Sequence, residues 1–224
     1  MIKVLGIDAA LSNMGIAEAI IDAKGIEVTD LHLHSTERQD KKLVRKSSDD
    51  LRRAQELVIA LCDSCKDSKA LLVFAEVPSG SQSAVAARAL GIAVGVLASC
   101  PLRIIEVSQL EVKLASVGKR TATKPEMIKW AVSQWPDANW HRHERNGKGF
   151  KKGDLKNENE HLADACAVIK AGIQTNEFQL LLRTLGHEIA STPNSRHTFH
   201  GSPKRRLSLE RVELVERPVT GRRR

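Results

Sequence analysis

MIKVLGIDAALSNMGIAEAI (residues 1–20) opens with an apolar, β-branched run, IKVLGIDAA, that carries a single acid, Asp8. Such a run fits a strand covered on both faces. GIAEAIIDAKGIEVTDLHLH (15–34) reads as two further strands joined at the hairpin turn Asp22-Ala-Lys-Gly25. Residues 47–62 have helical spacing, with Leu51, Ala54, Leu57, Val58 and Leu61 on one side. Asp49 and Asp50 stand near its start, where the helix dipole favours acids. ALLVFAEV (70–77) is a second continuous apolar run and predicts another buried strand. A helix of small residues, AVAARALGIAVGVLAS (84–99), follows the loop PSGSQS. Residues 103–107 give another strand, and 125–134 a short helix with Pro in its first turn. Helical spacing resumes at Glu160 and runs through HLADACAVIKAGI (161–173). Three strands in a meander, then alternating helix and strand, predict an α/β fold with a mixed five-stranded sheet flanked by helices.

Composition bounds the function. The chain has 224 residues, 42% of them hydrophobic, enough for one core with an appended segment. No apolar run reaches the roughly 20 residues of a membrane span, and the N-terminus reads as a strand, so a cytoplasmic protein is expected. The formal charge is +8. From Thr175 onward ten basic residues face five acidic ones, so much of that excess lies in a basic C-terminal extension, 175–224. Its expected role is sequence-independent affinity for phosphates. Within it, FQLLLRTLGHEIA (178–190) predicts a short helix, 191–203 a linker, and RRLSLERVELVERPV (205–219) a strand-like alternation. Residues 141–156, HRHERNGKGFKKGDLK, are polar, basic and Gly-punctuated, and predict a flexible loop. Aromatic residues make up 3%, so stacked bases cannot be the main basis of nucleic-acid binding. Cys62 and Cys65 form a lone C-x-x-C without a second ligand pair and read as reduced thiols; Cys100 and Cys166 read as core.

Three acids stand in strongly apolar contexts: Asp8 in VLGID, Glu76 in LLVFAE, and Asp164 in HLADACAV. A buried, ionised carboxylate must pair, protonate or bind a metal. Taken singly, Asp8 also reads as a strand-end cap, Glu76 as a salt-bridged loop residue, and Asp164 as a polar residue facing a groove. Together, at the ends of core elements, they can converge on one sheet edge. Hard oxygen ligands of this kind suit Mg²⁺ or Mn²⁺, and two such ions suit phosphodiester cleavage. His161 precedes Asp164 by three residues and shares its helix face, as a ligand or proton shuttle. Glu158 and Glu160 read as solvated residues of that helix's first turn.

These segments resemble, in order, the motifs of the RuvC-type Holliday-junction resolvases of the RNase H-like superfamily. GIDAALSNMGIA (6–17) is similar to the first motif and FAEVPSGSQSAVAARALGIAVGVL (74–97) to the second. VSQLEVKLASVGKRTATKPEMIKWAV (107–132) is similar to the Lys-containing segment, and ENEHLADACAVIKAG (158–172) to the final H/D-x-x-D motif. The likeness spans residues 1–174, the expected nuclease domain. It implies an RNase H-like fold and a metal-binding catalytic set of Asp8, Glu76, His161 and Asp164, expected to take two Mg²⁺ with Mn²⁺ as substitute. It also implies Lys113 and Lys124 beside the scissile phosphate, Lys124 catalytic. Lys119, Arg120, Ser79 and Ser81 complete the expected DNA-binding set. The implied partners are four-way DNA junctions and a second copy of the chain, with helix 84–97 supplying part of the dimer interface.

Departures from the family pattern are specific. The loop after Glu76 reads Pro78-Ser79-Gly80-Ser81, without the aromatic that usually opens the junction. The 141–156 loop is long, and 175–224 has no counterpart, which suggests a divergent, phage-encoded member. Competing readings are a broader branched-DNA or RNA–DNA hybrid nuclease of the same fold, a DNA-binding module without catalysis, and an actin-like kinase fold. The last needs a second Gly-rich phosphate loop, and no such loop is visible in the sequence.

Overall fold

In a computed structural model, residues 1–40, 42–78, 80 and 83–186 are described. The first run forms strand β1 (Ile2–Ala9), followed by β2 (Asn13–Asp22) and β3 (Gly25–Ser35). Helix α1 (Lys46–Ser68), strand β4 (Leu72–Glu76), helix α2 (Ala84–Ala98) and strand β5 (Ile104–Val107) continue the chain. Helices α3 (Gln109–Ser116), α4 (Lys124–Gln134), α5 (Asn159–Gly172) and α6 (Asn176–Thr184) complete it. The five-stranded sheet has the order β3-β2-β1-β4-β5. The meander β1–β2–β3 is antiparallel, whereas β4 and β5 join β1 in parallel. The mixed α/β sheet expected from the sequence is therefore present.

The side-chain period of two sorts the sheet into two faces. Ile2 and Val4 of β1, Ala17, Ala19 and Ile21 of β2, and Leu72 and Phe74 of β4 pack with α5 in one apolar cluster. The alternate residues Leu5, Ile7, Met14, Ile16, Val73 and Ala75 pack with α1 and α2 in a second cluster. Two covered faces explain why the β1 and β4 sequences are continuously apolar.

Helix α1 runs past its expected end at Cys62, to Ser68, and stops at Lys69 in a left-handed conformation with φ 54°. Its buried stripe is Leu57, Leu61 and Cys65, and Leu51 is exposed. Six residues separate Leu51 from Leu57, about 600° of turn at 3.6 residues per turn, which takes Leu51 off the stripe. Asp49 and Asp50 do more than face the dipole: Asp50 pairs with Arg88 of α2 at 2.5 Å, and Asp49 pairs with Arg52 at 2.7 Å. All four cysteines are free, and Cys65 Sγ lies 3.8 Å from Cys100 Sγ rather than facing Cys62. Cys100 is only half-buried.

Helix α3 has no place in the apolar-periodicity reading. Its signal is a capping box: Glu111 accepts from the Ser108 backbone N–H at 2.7 Å, and the Glu111 N–H donates to Ser108 Oγ at 3.3 Å. Helix α6 starts beyond residue 174 and buries Phe178 edge-on against Phe74, ring centroids 5.1 Å apart. Gly172 leaves the room for that ring, since a Cβ there would strike Phe74.

The 141–156 segment, expected as a flexible loop, is a hairpin pinned by backbone hydrogen bonds. His143 N–H donates to Asp154 O at 2.9 Å and Gly153 N–H to His143 O at 2.8 Å, with Arg142 bridged to Leu155. Fully buried Asn159, at the start of α5, closes its base by accepting from His141 N–H at 2.8 Å and donating to His141 O at 2.7 Å. Among the described residues no helix is long and apolar enough to cross a membrane. Ser79 and Ser81, and the features expected from 187 to 224, lie outside the described residues.

Candidate active site

The strand register brings the first two acids together. Asp8 of β1 is the parallel partner of Glu76 of β4. Both occupy the same parity as Val4 and Phe74, so both project to the face on which α5 lies. Two glycines let α5 come down onto that face: a Cβ at Gly6 would strike the Ala165 carbonyl, and one at Gly15 the His161 carbonyl. Gly15 is itself the β2 partner of Asp8. The strand end thus delivers Asp8 directly beneath the turn of α5 that carries His161 and Asp164.

The turn after β1 is braced from α1. Arg53, 1% exposed, donates to Leu11 O at 3.2 Å, Ser12 Oγ at 3.1 Å and Thr36 Oγ1 at 2.9 Å. The sequence reading did not single out this arginine, since a charge within a helix ordinarily faces water.

At the site, His161 Nδ1 meets Asp8 Oδ2 at 2.8 Å. Burial disfavours the charged ring, yet the hydrogen bond and charge of Asp8 outweigh it and raise the His161 pKa. Asp164 is pushed up to about 7, first by burial and then by the charges of Asp8 and Glu76. Glu76 is likewise pushed up to about 7 by burial and by Asp8, with Lys113 opposing. The three carboxylates therefore feel one another, and Lys113 of α3 faces Glu76. Such perturbed, mutually repelling acids mark functional sites more often than structural ones.

Lys124, at the start of α4, reaches across to α5 and bonds Glu160 Oε1 at 2.6 Å. Its pKa is raised, mainly by that bond, with smaller contributions from Asp164 and Asp8. Glu160 Oε1 also lies 3.6 Å from His161 Nε2. Glu160 is thus part of the site, not the solvated residue expected from the sequence. Nothing in its local sequence distinguishes it, because the partner that buries it is 36 residues away. Lys119 is held by Glu126 at 2.7 Å, and Arg120 is exposed in the turn before α4.

Among the described residues no three His, Cys, Asp or Glu side chains are gathered into a ready-made metal cluster. The donor chemistry nonetheless fits a hard divalent cation. Three carboxylates share one edge, and two of them are pushed up to about 7 by burial and then by the neighbouring acids, a cost that a dication would relieve.

A mixed sheet in this order with helices on both faces is an α/β arrangement of the RNase H-like fold. Comparison with solved structures gives the particular form. Thermus thermophilus RuvC in complex with a Holliday junction substrate superposes with a TM-score of 0.56 at 17% identity, over 82% of this chain and 98% of that one. Thermus thermophilus RuvC alone gives 0.53 at 18% identity, over 83% of this chain and 98% of that one. The chain has the RuvC-like form of the fold. No protein-family model and no curated protein matches the sequence.

Proposed function

We propose that the chain is a structure-selective DNA endonuclease that resolves four-way junctions by metal-dependent paired nicking, acting as a homodimer in the cytoplasm. The observation that carries this reading is the register match of Asp8 with Glu76 beneath His161 and Asp164 of α5, on a RuvC-like fold. Asp8, Glu76, Asp164 and His161 are the residues that would hold Mg²⁺. When bound, the ion supplies Lewis-acid polarisation of the phosphodiester and lowers the pKa of a water nucleophile.

The chain's own groups do the rest. His161, oriented by its bond to Asp8, carries a proton at the active edge. Lys113, whose charge acts on Glu76, and Lys124, bonded to Glu160, bring ammonium groups to that edge, where they would hold the phosphate and offset charge that grows in the transition state. The dimer reading rests on α2, an apolar helix whose exposed face carries Ala87, Gly91, Val94 and Gly95, with open space over both glycines. A second copy laid on this face by two-fold symmetry would bury it and set two sites on one junction.

The test is cleavage with Mg²⁺ of a synthetic four-way junction beside linear duplex, fork, flap and RNA–DNA hybrid. Symmetric paired nicks confined to the junction establish the resolvase. Equal or better cutting of fork, flap or hybrid moves the function to a broader nuclease with the same site.

A further inference from the structure

The 141–156 hairpin carries six basic residues against two acidic ones. Arg142 is used internally, bonding Gly153 O at 2.9 Å, and Lys156 pairs with Glu158 at 3.4 Å. The side chains of Arg145, Lys148, Lys151 and Lys152 have no partner among the described residues and stand exposed. At this cationic end Phe150 lies on His143, ring centroids 3.7 Å apart and planes within 14°. Of the six Phe and Trp side chains among the described residues, Phe150 alone is in the exposed range, at 36%.

This placement is built into the backbone. Gly147 pairs with Phe150, and a Cβ at Gly147 would strike the Phe150 ring, so only glycine lets the ring fold over the turn. Gly149 and Gly153 have φ of 89° and 92°, a left-handed conformation that side chains disfavour. The hairpin's base is bolted through His141 to Asn159, the first residue of α5, two positions before His161. With one face stacked on His143, the Phe150 ring still leaves about a third of its surface in water on a turn that bears four cations. An exposed flat ring flanked by cations is the combination that takes a stacked base while holding its backbone.

We propose that the 141–156 hairpin is a DNA-engaging arm: Phe150, stacked on His143, receives an unpaired base at a branch point, and Arg145, Lys148, Lys151 and Lys152 grip the adjoining phosphates. The inference rests on the reading of the chain as a DNA-acting enzyme. It assigns to the arm the aromatic contact that the loop after Glu76 lacks in sequence.

The experiment measures binding of the full chain, without divalent metal, to fluorescein-labelled four-way junction, to duplex with an unpaired patch, and to plain duplex. Phe150→Ala lowers affinity about tenfold for the first two and leaves plain duplex unchanged, the scale expected for one lost stack; Phe150→Trp restores it. Lys151→Ala with Lys152→Ala weakens all three DNAs alike and reduces the salt slope by about 2. Wild-type junction binding with unaltered Phe150→Ala affinity overturns the arm alone and leaves the nuclease reading standing. Equal loss on all three DNAs overturns the stacking role. A wild-type chain that binds none of them overturns both.

Discussion

Asp8 is held by two constraints at once: its backbone is fixed by Gly15 and Glu76 on the flanking strands, and its carboxylate by His161 at 2.8 Å. Asp8→Asn keeps the shape, removes the charge and leaves the fold intact. It is expected to abolish cleavage while sparing junction binding, seen by gel assay and anisotropy on one preparation. Normal cutting by that variant would remove Asp8 from the catalytic set. Glu76 and Asp164 make a different prediction. Burial and the neighbouring acids push their carboxyls up to about 7 in the fold, well above the ordinary carboxylate range. Folding therefore favours their protonated forms, a stabilisation complete below about pH 4 and lost as pH rises through 7. Asp164→Asn, which cannot ionise, should raise the melting temperature of metal-free protein at pH 8 and leave it little changed at pH 4. Added Mg²⁺ should raise the wild-type melting temperature at pH 8 more than that of Asp164→Asn. An unchanged melting temperature at pH 8 would show that this carboxyl is not strained in the fold.

Helix α5 lies against the sheet because Gly6 and Gly15 lack side chains there, and His161 and Asp164 reach Asp8 only from that depth. Gly15→Ala places a Cβ against the His161 carbonyl, a backbone atom that moves only with the helix. Overpacking of this kind costs about 1–3 kcal/mol. The expected result is a lowered melting temperature and a loss of cleavage larger than the lost stability explains, because the helix that shifts carries Glu160, His161 and Asp164. A variant with full activity would mean that α5 sits less tightly than its contacts indicate. Helix α3 and the 141–156 hairpin differ from α5 in legibility. Apolar periodicity finds α5 at once, whereas α3 is announced by Ser108 and Glu111 alone, and the hairpin by glycines whose turns become specific only once Asn159 closes the base.

At the scale of the molecule, the exposed apolar face of α2 is the feature that one copy leaves unexplained. Val94→Glu on that face is expected to leave the protomer folded and turn the dimer into a monomer in sedimentation. Paired nicks on a junction should then become single, uncoordinated ones. A wild-type chain already monomeric at micromolar concentration would contradict the dimer.

The sequence by itself determined the sheet and its acids. Two continuous apolar runs required strands covered on both faces, the Asp22–Gly25 turn required a hairpin between β2 and β3, and acids in such runs required a partner or an ion. It also contained Lys124, though as one member of a basic cluster. The tertiary structure decided what those groups meet. Register and strand parity set Asp8 beside Glu76, two absent side chains admitted α5, and Glu160 joined the site through a lysine far away in sequence. Burial of Leu57 rather than Leu51, and of Arg53 as a brace, followed from the same packing. Local patterns report which residues avoid water; which of them touch is fixed only when the whole chain closes around a common core.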